Sequence, residues 1–151
     1  MVLYHINLGW PLLGENSRLI GPRIPGELPE PRDEEARTGL DAWDQFAAPT
    51  SGFKERVFYH CPAAGTDGRT EARLENPDLG LAFSVRFSPE ELPEFVQWTM
   101  TGEGTYVLGL EPATCRVEGP AAEEAAGRVI LLQPGETRRH SLDLEVSQQA
   151  T

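Results

Sequence analysis

Much of the chain alternates apolar and polar residues with a period of two. In the opening stretch "VLYHINLG", Val2, Tyr4, Ile6 and Leu8 share one face, while Leu3, His5, Asn7 and Gly9 share the other. Phe83, Val85 and Phe87 alternate with Ala82, Ser84 and Arg86, and Tyr106, Leu108 and Leu110 with Val107, Gly109 and Glu111. Near the end, His140, Leu142, Leu144 and Val146 alternate with Ser141, Asp143 and Glu145. Successive side chains of a strand point to opposite faces, so each pattern predicts a half-buried strand. "FKERVFYH" (53–60) and "TEARLEN" (70–76) predict two more, and "GRVILLQ" (127–133) a more fully buried one.

The interruptions fit a sheet protein. "GTDG" (65–68) predicts a tight hairpin, and "NPDLG" (76–80), "TGEG" (101–104) and "QPG" (133–135) predict further turns. Helix signals are few. In 88–98, Ser88 can cap a helix with Pro89 at its first position, and Pro93 then limits it to about one turn. Residues 120–127 read as a short helix or a loop. The stretch 21–50 carries Pro22, Pro25, Pro29, Pro31 and Pro49 and an acidic run at 33–35, and reads as a long connection. The expected class is all-β, an antiparallel β-sandwich of about seven strands rather than a closed barrel, forming one domain over 1–151. Its first strand starts at residue 2 with no lead-in, as if the chain began within something larger.

Composition narrows the function classes. A formal net charge of -11 disfavours nucleic acid and anionic membrane surfaces as partners, because both need a basic face. Cys61 and Cys115 are too few and too far apart for a disulfide framework or a paired-cysteine metal site. The N-terminus has neither the basic nor the apolar segment of a secretory signal, and no apolar run reaches a membrane span. The expectation is a cytoplasmic protein with two free thiols.

The candidate chemistry is sparse. The histidines are His5, His60 and His140, with no HxH or HExxH spacing and no Cys/His cluster, so neither a metal nor another cofactor is expected. Two strand faces stand out. His5 shares its face with Asn7 and Gly9, and Glu111 shares its face with Gly109. A glycine beside a titratable group on a sheet leaves room for a ligand. A histidine and a glutamate on neighbouring strands can supply one general acid and one general base. The pattern leaves open a second reading, in which His5 is a hydrogen-bonded structural histidine and Glu111 a solvated strand residue.

The motifs carrying these residues resemble a known family. "LYHINLGWPLL" is similar to the "NH-x-YFNL" strand of the galactose mutarotase (aldose 1-epimerase) superfamily. "YVLGLEPAT" resembles its glutamate strand, and "LLQPGETRRHSLDLEV" its closing turn and final strand. The nearest likeness is to the DUF4432-type branch, whose "YHINxGxPLL", "ExVxxH", "QWxM" and "YVLGxEPAT" motifs occur here in order at 5–13, 55–60, 97–100 and 106–114. The resemblance implies half, the C-terminal half, of a mutarotase-like β-supersandwich. It implies a sugar ligand and interconversion of aldose anomers, with His5 as catalytic acid and Glu111 as catalytic base. The family's arginine and second histidine that hold sugar hydroxyls belong to the N-terminal half and have no counterpart here. The implied substrate-binding residues are Asn7, Glu55, His60 and Trp98, with Glu55 or His60 in the place of a family aspartate. Trp10 and Tyr59 are further candidates for stacking on a sugar. The alternatives are a non-catalytic carbohydrate-binding protein and an assembly element. In the latter, the half-fold pairs with a second copy, burying apolar residues that include the 2–8 strand, or with a separately encoded N-terminal half.

Overall fold

The computed structural model of the chain describes residues 1–22, 24 and 26–148. Nine strands form two sheets. In chain order they are β1 (Ile6–Gly9), β2 (Arg18–Ile20), β3 (Glu30–Pro31), β4 (Arg56–His60), β5 (Thr70–Asn76), β6 (Leu81–Phe87), β7 (Glu94–Gly102), β8 (Thr105–Ala113) and β9 (Leu142–Gln148). The five-stranded sheet has the order β1-β8-β7-β4-β3 and the four-stranded sheet β2-β5-β6-β9. Every ladder between named strands is antiparallel. The all-β sandwich expected from the period of two is the fold.

The two sheets face each other across one apolar cluster. Phe58, Phe95, Leu108 and Leu110 enter it from the first sheet and Leu74, Val85 and Phe87 from the second. Tyr4, Ile6 and Leu8 pack against its edge, as their shared parity requires. The opposite face of the five-stranded sheet carries a smaller cluster of Val57, Tyr59 and Val96, flanked by Leu3 and Trp98. A sheet with apolar residues on both faces has a second surface to cover, and the candidate site lies on that surface.

Several expectations are corrected. "GTDG" turns the chain, with Gly68 at φ 76°, but β4 and β5 lie in different sheets, so it serves a crossing between sheets and not a hairpin. Residues 88–92 form a turn closed by Leu92 N–H donating to Ser88 O at 2.9 Å. The chain then enters β7, which runs between β4 and β8 and has no alternation to announce it. Its core-facing side holds Gln97 and Thr99 as well as Phe95. Gln97 is buried because its amide is satisfied there: Nε2 donates to Trp43 O at 2.7 Å, and Oε1 lies 2.9 Å from His60 Nε2. Residues 127–133 form no strand, and Leu131 stands 80% exposed. β9 is an edge strand whose Leu144 and Val146 are exposed rather than half-buried; among the described residues no strand of the facing sheet covers them.

The proline-rich connection contains β3, a short helix α1 (Glu34–Arg37) and a 3-10 turn at Leu40–Ala42; Pro25 lies outside the described residues. Asp33 caps α1, accepting from Ala36 N–H at 2.9 Å. Residues 120–127 contain the helix α2 (Pro120–Ala125) with Pro120 in its first turn. Among the described residues no helix is long and apolar enough to cross a membrane, and Cys61 and Cys115 are free thiols.

Candidate functional site

The site begins with register. Leu3 bridges Ala113, Tyr4 N–H donates to Pro112 O at 3.0 Å, and Ile6 pairs with Leu110. This one antiparallel register sets His5 opposite Glu111 and Asn7 opposite Gly109. On β7, Trp98 is the partner of Gly109 and Val96 of Glu111. His5, Asn7, Gly109, Glu111 and Trp98 therefore share the face turned away from the main core.

His5 Nε2 lies 3.0 Å from Glu111 Oε1. The histidine side chain is 45% exposed and the glutamate side chain 3%. The approach is close, yet no aligned hydrogen bond reaches Oε1, a buried oxygen. Burial pushes the Glu111 carboxyl up to about 7, because a carboxylate withdrawn from water is disfavoured against its neutral form. A glutamate poised there can hold or take a proton at neutral pH, and the half-open histidine gives a ligand access to it.

Gly109 makes room for this arrangement. A Cβ at that position would stand 2.5 Å from Glu111 Oε1, 3.2 Å from His5 Cε1 and 3.2 Å from Trp98 Cβ. The absent side chain is the space the carboxylate occupies. Trp98 forms the wall, with its ring 5.5 Å from the His5 ring at 73°. The indole N–H donates to Glu55 Oε2 at 2.8 Å, and Arg32 donates to Glu55 Oε1 at 3.0 Å. These two donors hold the Glu55 carboxyl below the usual carboxylate range.

Five of the six residues singled out by sequence meet on this face: His5 and Glu111 in contact, Trp98 against His5, Glu55 bonded to Trp98, and Asn7 exposed beside Gly109. His60 does not join them. It is buried in the main core between Trp43 and Phe95, behind the sheet. Residues 55 and 60 differ in parity, so a single strand cannot turn both to one face, and alternation within 55–60 was the signal that separates them. Trp10 is 81% exposed beyond the end of β1. Tyr59 is on the site face but occupied: its hydroxyl donates to Glu118 and Arg116 lies over its ring at 4.5 Å. Arg32 escaped the sequence reading because nothing local marks an arginine in a proline-rich connection. Among the described residues no three His, Cys, Asp or Glu side chains converge to hold a metal ion.

A family profile described as "Domain of unknown function (DUF4432)" matches residues 1–146. Among solved structures, the chain matches a Klebsiella pneumoniae subsp. pneumoniae MGH 78578 protein assigned as an aldose 1-epimerase, with a TM-score of 0.90 and 30% identity. The match covers 97% of this chain and 38% of that one, so this chain spans well under half of that relative's length. Curated proteins give no match.

Proposed function

Because the chain belongs to the DUF4432 family and shares its fold with a protein assigned as an aldose 1-epimerase, we propose that it binds a sugar and contributes the acid/base pair of an aldose 1-epimerase. The observation that carries this reading is the 3.0 Å approach of His5 Nε2 to a buried Glu111 oxygen that has no aligned donor. The anomeric hydroxyl and the ring oxygen of an aldose are bonded to the same carbon. An acid and a base side by side can therefore address both from one side of the ring.

In the proposed cycle Glu111 takes the proton of the anomeric hydroxyl while protonated His5 gives one to the ring oxygen. The bond from C1 to the ring oxygen breaks and the C1 carbonyl forms. Rotation about C1–C2 exposes the other carbonyl face. On closure the attacking hydroxyl returns its proton to His5, and Glu111 delivers one to the carbonyl oxygen. Asn7 and the Trp98 ring are placed to contact the sugar, the ring by stacking on its apolar face.

The test is anomer exchange, followed by NMR saturation transfer on a panel of aldoses. Exchange by the wild-type protein should fall by about 10²-fold or more in Glu111→Gln and in His5→Asn. Exchange that is fast in both variants would sink the assignment. The exposure of Leu131, Leu132, Leu144 and Val146 favours a further element in the same reading: another polypeptide, a second copy or a separately encoded N-terminal half, completes the sandwich.

A further inference from the structure

We propose that Arg32 and Glu55 are positioning residues that set the His5 imidazole through the Trp98 indole, and that Glu55 is not itself a sugar ligand. This rests on the reading of His5 as the acid and adds the parts that hold it.

The problem is how a half-exposed histidine keeps one orientation. His5 precedes β1, near the edge of its sheet. Its Nε2 approaches Glu111 without an aligned hydrogen bond. Ring packing adds a restraint beside the Glu111 contact, and it comes from Trp98 at 5.5 Å. A tryptophan on an open sheet face would have rotamer freedom of its own. Here that freedom is removed at the far end of the indole, where N–H donates to Glu55 Oε2 at 2.8 Å. At the near end the Trp98 stem lies close over Gly109, where no Cβ intervenes.

Glu55 is in turn fixed. Arg32 donates to its Oε1 at 3.0 Å. Arg32 is held by its own backbone N–H to Val57 O at 3.0 Å and by its Nε to Asp33 Oδ2 at 2.9 Å. Asp33 is the cap of α1. The contacts thus run without a gap from a helix cap to the acid: Asp33, Arg32, Glu55, Trp98, His5. Both Glu55 oxygens face donors from the protein, as expected of a group that orients a neighbour. Arg32 meets Glu55 through one N–H, while its Nε and Nη2 both engage Asp33 Oδ2, so the guanidinium that orients Glu55 is itself tied to the helix cap.

The test reads His5 directly. The imidazole Cε1–H resonances of the three histidines are recorded in the wild-type protein, with His5 assigned by its loss in His5→Asn. Trp98→Leu defines where the His5 signal lies without the indole ring current. Glu55→Leu and Arg32→Leu should each move the His5 signal most of the way to that position, while the His60 and His140 signals stay, showing an intact fold. Glu55→Gln keeps an acceptor for the indole and should stay near wild type. A His5 signal unmoved in Glu55→Leu overturns the proposal. Should that variant fail to fold, an unmoved signal in Arg32→Leu overturns it equally.

Kinetics supply the second arm. Glu55→Leu should lower kcat/KM about tenfold, and should add nothing to the loss in Trp98→Leu. Additive losses would make Glu55 a sugar ligand. The spectra need no turnover, so a protein without epimerase activity would end the proposed function and leave the positioning test standing.

Discussion

At the residue scale the site turns on how Glu111 carries its charge. Its carboxyl is pushed from 4.5 up to about 7 by burial, so the native state holds a proton that the unfolded chain releases. The stability that this group contributes is present in full below about pH 4.5 and is lost as pH rises through about 7. Wild-type protein should therefore lose about 3 kcal/mol across that window relative to Glu111→Gln, measured by urea denaturation at several pH values. Parallel pH profiles for the two proteins would count against a perturbed Glu111. Turnover needs the ionised form, so kcat/KM should climb through the same window in which this contribution to stability falls. Gly109→Ala tests the geometry. A Cβ placed 2.5 Å from Glu111 Oε1 must drive the carboxylate away from His5, lowering exchange by about tenfold or more with the circular dichroism unchanged. That His5 and Glu111 share a face was legible in strand parity, while the roles proposed for them came from the family resemblance, the pattern itself leaving a structural reading open. Arg32 was not legible, since its role arises from contacts with Glu55 and Asp33 that no local pattern encodes.

At the scale of elements, legibility followed the polarity of the core-facing side. β6 and β8 carry apolar residues on that side and read directly from the sequence; β5 read from its alternation, with Ala72 and Leu74 inward between the buried Thr70 and Asn76. β7 puts Gln97 and Thr99 there, and this hides the strand that pairs with β8 and carries the Trp98 wall. The burial of Gln97 is stabilised by specific partners, so its replacement should be costly. Gln97→Leu removes the donor to Trp43 O and the partner of His60 Nε2, and should destabilise the protein by about 2 kcal/mol. Equilibrium unfolding checks this, and a loss no larger than that of an exposed substitution would show that the amide bonds are dispensable. The opposite error occurred at 127–133, where a run of apolar residues predicted a buried strand. Apolar sequence specifies burial only when another surface exists to accept it, and among the described residues none covers Leu131 or Leu132, which stay exposed.

At the scale of the whole molecule, those exposed residues form part of a larger question. One core cluster joins both sheets. Yet Leu131 and Val146 are 80% and 70% exposed, with Leu132 and Leu144 also open. Leu144 and Val146 stand on an edge strand whose outer backbone groups have no ladder partner among the described residues. Such an edge invites pairing with another chain. We therefore expect the chain to self-associate at micromolar concentration through β9. A net charge of -11 per copy opposes that contact at low salt, so raising the ionic strength should strengthen it as the repulsion is screened. The double variant Leu144→Glu/Val146→Glu, which removes the apolar contact and adds charge, should shift the protein to monomer without unfolding it. Sedimentation velocity across a salt series measures all three outcomes. A wild-type protein that sediments as a monomer throughout would show that β9 is not a self-association surface. Mixing it with a separately encoded N-terminal half would then decide whether that half occupies the edge instead.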